Sequence, residues 1–111
     1  MIIKKYVLGP VQTNCYLLVC EKTKKAAIID PGEKCAAASQ FISENSFSLE
    51  LVINTHGHFD HIGGNRFFCG ENIPLASHRL EFERIKTGGD ASFFGLGIDK
   101  SPEPSIDLSE R

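Results

Sequence analysis

Seven residues, Thr55-His56-Gly57-His58-Phe59-Asp60-His61, constrain this chain more than any other stretch. They hold three of its four histidines and a carboxylate, a donor density typical of a transition-metal site. The run before them, 49–54, is apolar and predicts a strand buried in a sheet, so the histidines begin where a strand ends. Side chains of an extended chain alternate between faces, so His56 and His58, two apart, can grip one ion, and Gly57 lets the backbone pass close. Asp60 and His61 are adjacent and leave that period. A turn there swings them toward a second ion about 3.5 to 4 Å from the first.

Taken in order, the chain starts with strands. Residues 2–8 end at Gly9-Pro10, and 14–20 is rich in Tyr, Leu and Val. A lysine-rich turn leads into 26–29, which predicts an antiparallel hairpin ended by Asp30-Pro31-Gly32. Cys35, Ala38, Phe41 and Ile42 then recur at helical spacing, giving a helix over 34–45 with Asn45 as its stop. Strand, helix and the strand 49–54 make a βαβ unit, with the histidine motif at the carboxyl end of its second strand, the edge where open α/β sheets place their sites. A short helix beginning at Ile62, a strand over 74–77 and a charged amphipathic helix over 80–86 follow, with Ser77 as candidate cap. Beyond Thr87 the glycines and prolines describe a long loop with Phe93 and Phe94 as its aromatic anchors.

Composition excludes several classes. The chain has 111 residues, and 41% hydrophobic with 23% charged residues is ordinary for one globular domain. The formal net charge of -2, with Lys and Arg scattered among acids, gives no case for nucleic acid. No stretch reaches the length of a membrane span, and the N-terminal apolar run is too short for a signal peptide, so a cytoplasmic protein is expected. Cys15, Cys20, Cys35 and Cys69 form no C-x-x-C pair and are read as free core thiols, Cys15 and Cys20 facing opposite sides of their strand.

The pattern His56-x-His58-x-Asp60-His61 before Gly63-Gly64 resembles the signature of the metallo-β-lactamase superfamily. The runs from Val11 to Leu18 and from Ile28 to Gly32 are similar to the opening strands of its glyoxalase II-like hydrolases. The resemblance implies an α/β fold, the αβ/βα sandwich, with residues 1–111 as the N-terminal part of a single domain that stays open-ended after the loop 88–111. Such enzymes take a third histidine, a bridging aspartate and a last histidine from further downstream. It implies two metal ions, zinc with iron or manganese as alternatives, held by His56 and His58 at one position and Asp60 and His61 at the other, with Asp60 also needed for catalysis. The implied reaction is metal-assisted hydrolysis of a small thioester or ester substrate, such as an acyl-glutathione. An iron-dependent sulfur dioxygenase of the same superfamily and a catalytically incomplete fragment are the alternatives. The flavin-linked di-iron branch typically carries Glu where this chain has His58.

Other polar residues carry weaker expectations. Asp30 either forms the turn before Pro-Gly or, by the resemblance, braces the metal loop from beneath. His78 is expected at a helix start or pocket rim, Asn14 and Tyr16 are candidates for orienting the loop, and Phe67 and Phe68 are expected in the core. Oligomeric state is left open.

Overall fold

A computed structural model describes residues 1–89 and 100–109. Its strands are β1 (Ile2–Leu8), β2 (Thr13–Cys20), β3 (Lys25–Ile29), β4 (Ser48–Ile53), β5 (Leu75–Ser77) and β6 (Ile106–Asp107). They lie in one sheet in sequence order. The first three pair antiparallel, and β3 to β6 run parallel. The β2–β3 turn closes with Lys24 N–H donating to the Cys20 carbonyl at 2.8 Å. The parallel step from β3 to β4 is carried by helix α1 (Ala36–Glu44), the crossover that parallel neighbours require. Asn45 ends α1, its side-chain amide donating to the Phe41 carbonyl at 2.8 Å.

Register explains where the core sits. Leu17, Ile28, Val52 and Leu75 are opposite one another across four strands and are buried. On this face they meet Ala38 of α1, Ile62 of α2 (Phe59–Ile62), Phe68 and Cys69 of α3 (Asn65–Cys69) and Ile85 of α4 (Phe82–Lys86). One residue along, side chains point the other way. Tyr16, Ile29, Ile53, Ala76 and Ile106 form that second row, of which all but the buried Ala76 stay half-buried, with Ile3 and Val7 of β1 64% and 54% exposed on the same side. One face of the sheet is therefore a packed core, and the other is an apolar surface in contact with solvent.

Several expectations are corrected. The helix foreseen from Ile62 is two helices, because α2 already spans Phe59–Ile62 and Gly63-Gly64 separates it from α3. Ser77 is no cap: its hydroxyl donates to the Asn54 carbonyl at 2.9 Å, and His78 caps the 3-10 turn Arg79–Glu81 by accepting the Leu80 N–H at 3.1 Å. Phe67 is 42% exposed while Phe68 is buried, since a helix of five residues presents only one of two adjacent rings to the sheet. Residues 88–111 are not loop throughout: Ile106 and Asp107 pair with Ala76 and Ser77 as β6, a partner choice that two residues of sequence do not disclose. Phe93 and Phe94 lie outside the described residues. Among the described residues, no helix is long and apolar enough to cross a membrane.

The four cysteines are free thiols, but only Cys15, Cys35 and Cys69 are in the core; Cys20, on the other side of its strand, is half-buried. Burial pushes Cys15 up to about 12 and Cys69 up to about 11, whereas hydrogen bonds from Thr23 hold Cys20 below its ordinary value. We expect a thiol reagent at pH 8 to label Cys20 more than about a hundredfold faster than Cys15 or Cys69, read by mass spectrometry of peptides. The raised groups favour the folded state fully below the unfolded value of 9.0. Their contribution is then lost as pH climbs from there toward 11 and 12. Denaturation midpoints should therefore fall across that alkaline window. The apolar second face makes a further prediction: a hydrophobic dye should bind the native chain, and the doubly substituted Ile3→Lys, Val7→Lys chain should bind less.

Candidate metal centre

Backbone ends bring the site together. Strands β3, β4 and β5 run the same way, so Asp30, Thr55 and His78 emerge at one edge of the sheet. The chain leaves β4 at Ile53, crosses 54–58 without regular structure and enters α2 with His58 as its cap residue. His56 and His58 are exposed, and the α2 turn carries Asp60 and His61 back beside them. Ring centroids are 6.1 Å apart for His56 and His58 and 5.0 Å for His56 and His61. Asp60 Oδ2 stands 3.4 Å from His61 Nε2.

A network beneath the loop fixes these positions. Asp30 is only 5% exposed and accepts from Thr55 N–H at 2.7 Å through Oδ1 and from the Thr55 hydroxyl through Oδ2. The same Oδ2 lies 3.2 Å from His61 Nδ1. That nitrogen is buried and meets no hydrogen-bond alignment, so the contact is one of proximity between a carboxylate and a ring. Asp30 also has φ of +55°, a left-handed backbone that Asp tolerates better than most residues. Both roles foreseen for Asp30 therefore coexist: it turns the chain before Pro31, and its carboxylate braces the loop.

Other supports carry no sequence signal that distinguishes them from ordinary polar residues. Thr13, not Asn14 or Tyr16, reaches the loop, its hydroxyl donating to Asp60 Oδ2 at 3.0 Å. Asn14 faces solvent, because alternation along β2 sends Thr13 and Cys15 inward together. Asn54 and Asn65, both buried, exchange side-chain hydrogen bonds at 3.1 and 2.7 Å, and Asn54 also donates to the His61 carbonyl at 3.2 Å. Ser101 closes this network by accepting from Asn65 at 2.9 Å. Gly32 is required by close approach: a Cβ there would lie 2.1 Å from the Asp60 carbonyl oxygen. His78 belongs to the 3-10 turn as its cap, its Nδ1 accepting the Leu80 N–H at 3.1 Å.

The donor set suits divalent metal in pairs. An imidazole nitrogen and a carboxylate oxygen bound tetrahedrally at about 2.1 Å stand about 3.4 Å apart. Asp60 and His61 already have that separation. Two imidazoles bound tetrahedrally to one ion have centroids about 5.3 Å apart. His56 and His61 stand near that spacing at 5.0 Å, and His56 and His58, at 6.1 Å, would have to draw closer to share an ion. Among the described residues, no three His, Cys, Asp or Glu side chains are grouped to hold one ion. Each pair therefore supplies two donors where a catalytic zinc usually has three from protein.

Because Asp30 holds Thr55 and lies against His61, its replacement should act on both stability and binding. Asp30→Asn keeps a residue that tolerates the left-handed backbone but gives His61 a neutral neighbour. We expect a stability loss of about 1 to 3 kcal/mol by urea denaturation. Zinc affinity should fall about 10- to 100-fold by equilibrium dialysis, as for other carboxylates behind a metal-binding histidine.

Known proteins resemble this chain in sequence and fold. The family model described as the metallo-beta-lactamase superfamily matches residues 8–109. A probable metallo-hydrolase of Bacillus subtilis, YqgX, is 35% identical over 112 residues, covering 96% of this chain and 51% of its own length. A hydroxyacylglutathione hydrolase of Pelagibacter ubique is 29% identical, covering 92% and 36%. The crystal structure of TTHA1623 in a di-iron-bound form superposes with a TM-score of 0.80 at 27% identity, over 95% of this chain and 53% of that one. The chain thus spans about half the length of the first relatives it matches. With its mixed sheet, crossover helix and histidine loop at the carboxyl edge, the chain belongs to the metallo-β-lactamase superfamily.

Proposed function

We propose that this chain carries the metal-binding half-site of a glyoxalase II-type hydrolase that cleaves a thioester or other small ester. The observation that supports it best is the gathering of His56, His58, Asp60 and His61 on one loop, with Asp30 behind His61. The hydroxyacylglutathione hydrolase relative supports the thioester class, and the di-iron-bound relative keeps iron beside zinc as the metal. Metal bound here would act as a Lewis acid and lower the pKa of water toward about 7.

The chain's own residues would then do the following. His56 and His58, solvent-facing at the rim, form one binding pair, and Asp60 and His61 form the other, deeper one. Asp60 is held by the Thr13 hydroxyl, which restricts its carboxylate to one orientation toward the site. His61 cannot turn away without leaving Asp30 and Asp60, which flank its two ring nitrogens. Asp60 is the residue we assign to catalysis, through placement of the second ion and its water.

Metal uptake tests the assignment on this chain. With two donors per position, zinc should bind weakly, and His56→Ala or His58→Ala should remove most of the binding in equilibrium dialysis. Tight uptake that survives both substitutions would sink it. Activity is tested on a full-length enzyme containing this sequence, where Asp60→Ala should lower kcat at least about a hundredfold with little change in KM. A wild-type kcat would remove Asp60 from the reaction, and a metal inventory of the isolated protein separates zinc from iron.

A further inference from the structure

The backbone around the two exposed histidines is held from outside the motif, by the segment 79–89. Beyond Asn54, whose N–H still pairs with the Ala76 carbonyl, residues 55–58 lie outside strands and helices, so their amides must find acceptors elsewhere. The Gly57 N–H, buried between the two histidines, donates to Glu81 Oε1 at 2.8 Å. The Phe59 N–H, on the far side of His58, donates to the Gly89 carbonyl at 2.8 Å. One short segment thus grips the chain on both sides of His58.

That segment is built to stay in place. Ile85 is fully buried in the core, and Gly89 N–H returns to the Arg84 carbonyl at 2.8 Å to close the end of α4. Contact with the loop is close enough to need glycine on both sides. A Cβ on Gly57 would meet Arg84 Cβ at 3.0 Å, and one on Gly89, where φ is +62°, would meet the Gly57 carbonyl oxygen at 2.4 Å. Glu81 is itself steadied by Arg84, whose Nη1 lies 3.3 Å from the same Oε1. A carboxylate accepting a buried amide makes a charge-assisted bond, roughly twice as strong as a neutral one.

We propose that Glu81 is a positioning residue for the metal pair His56 and His58: by holding the Gly57 amide it fixes the directions in which both imidazoles leave the backbone. The proposal rests on reading those histidines as ligands. It assigns Glu81 no contact with metal or substrate. Neutral Gln at this position keeps an acceptor of nearly the same reach, whereas Ala removes it and leaves a buried donor unsatisfied. Glu83, exposed on α4 and paired only loosely with Lys86 at 3.9 Å, serves as the control.

The test uses the full chain in four forms: wild type, Glu81→Ala, Glu81→Gln and Glu83→Ala. Amide exchange at Gly57 is measured without metal, and zinc affinity by equilibrium dialysis. In Glu81→Ala, Gly57 exchange should accelerate at least about tenfold and zinc affinity fall about 10- to 100-fold, the range seen when outer supports of metal ligands are removed. Glu81→Gln should recover most of both, and Glu83→Ala should match wild type. Unchanged Gly57 exchange in Glu81→Ala overturns the clamp whatever the zinc result. Faster exchange with unchanged zinc affinity overturns the positioning role, because the bond then orients nothing that matters. Failure of the metal reading shows separately, as a wild-type chain that takes up neither zinc nor iron, and it overturns the clamp's purpose with it.

Discussion

The carboxylate of Asp30 joins the ends of two parallel strands, and the histidine loop depends on that junction. The ladder between β3 and β4 reaches its edge with Asp30 N–H donating to the Ile53 carbonyl at 2.8 Å. Beyond it, the side chain continues the pairing by accepting the amide and hydroxyl of Thr55. A carboxylate this buried is costly unless its lone pairs are engaged, so each bond that fixes Thr55 also makes the burial of Asp30 tolerable. His61 stands against the same oxygen. Loosening the junction would release the start of the loop and the last of its donors together.

Supports on the remaining sides are of different chemical kinds. Thr13 holds Asp60 with a hydroxyl, the Asn54 and Asn65 amides hold the His61 backbone, and Glu81 and Gly89 hold the amides around His58. They come from β2, the end of β4, α3, the 3-10 turn and the end of α4. A six-residue motif is too short to fix its own shape, since its only regular structure is the single short turn of α2. Its conformation is therefore a property of the surrounding fold.

This division explains what the sequence disclosed and what it concealed. The strands, the crossover helix and the motif were legible because alternation, helical spacing and donor density are local patterns, visible in Leu17, Ala38 and His56 without any partner. Asp30 was half legible, since a turn-forming Asp before Pro-Gly reads the same whether or not its carboxylate braces something. Thr13, Asn65 and Glu81 were not legible. Each is an unremarkable polar residue whose partner lies 47, 36 or 24 positions away, a distance no periodicity spans. The two-residue β6 was lost for the same reason, because its identity as a strand comes from Ala76 and Ser77 rather than from itself.

The sheet order adds a consequence in time rather than in space. Among the described residues every strand lies beside its neighbours in sequence, so none of them waits for a distant described segment to be inserted between it and the one before. As the chain leaves the ribosome from its N-terminus, the β1–β2–β3 meander can form first, and β4 can dock as soon as α1 has emerged. Asp30 then meets Thr55 only 25 residues after its own synthesis. The outer support from Glu81 arrives 24 residues after Gly57. Along the chain the loop is thus anchored at its root first and closed from above second.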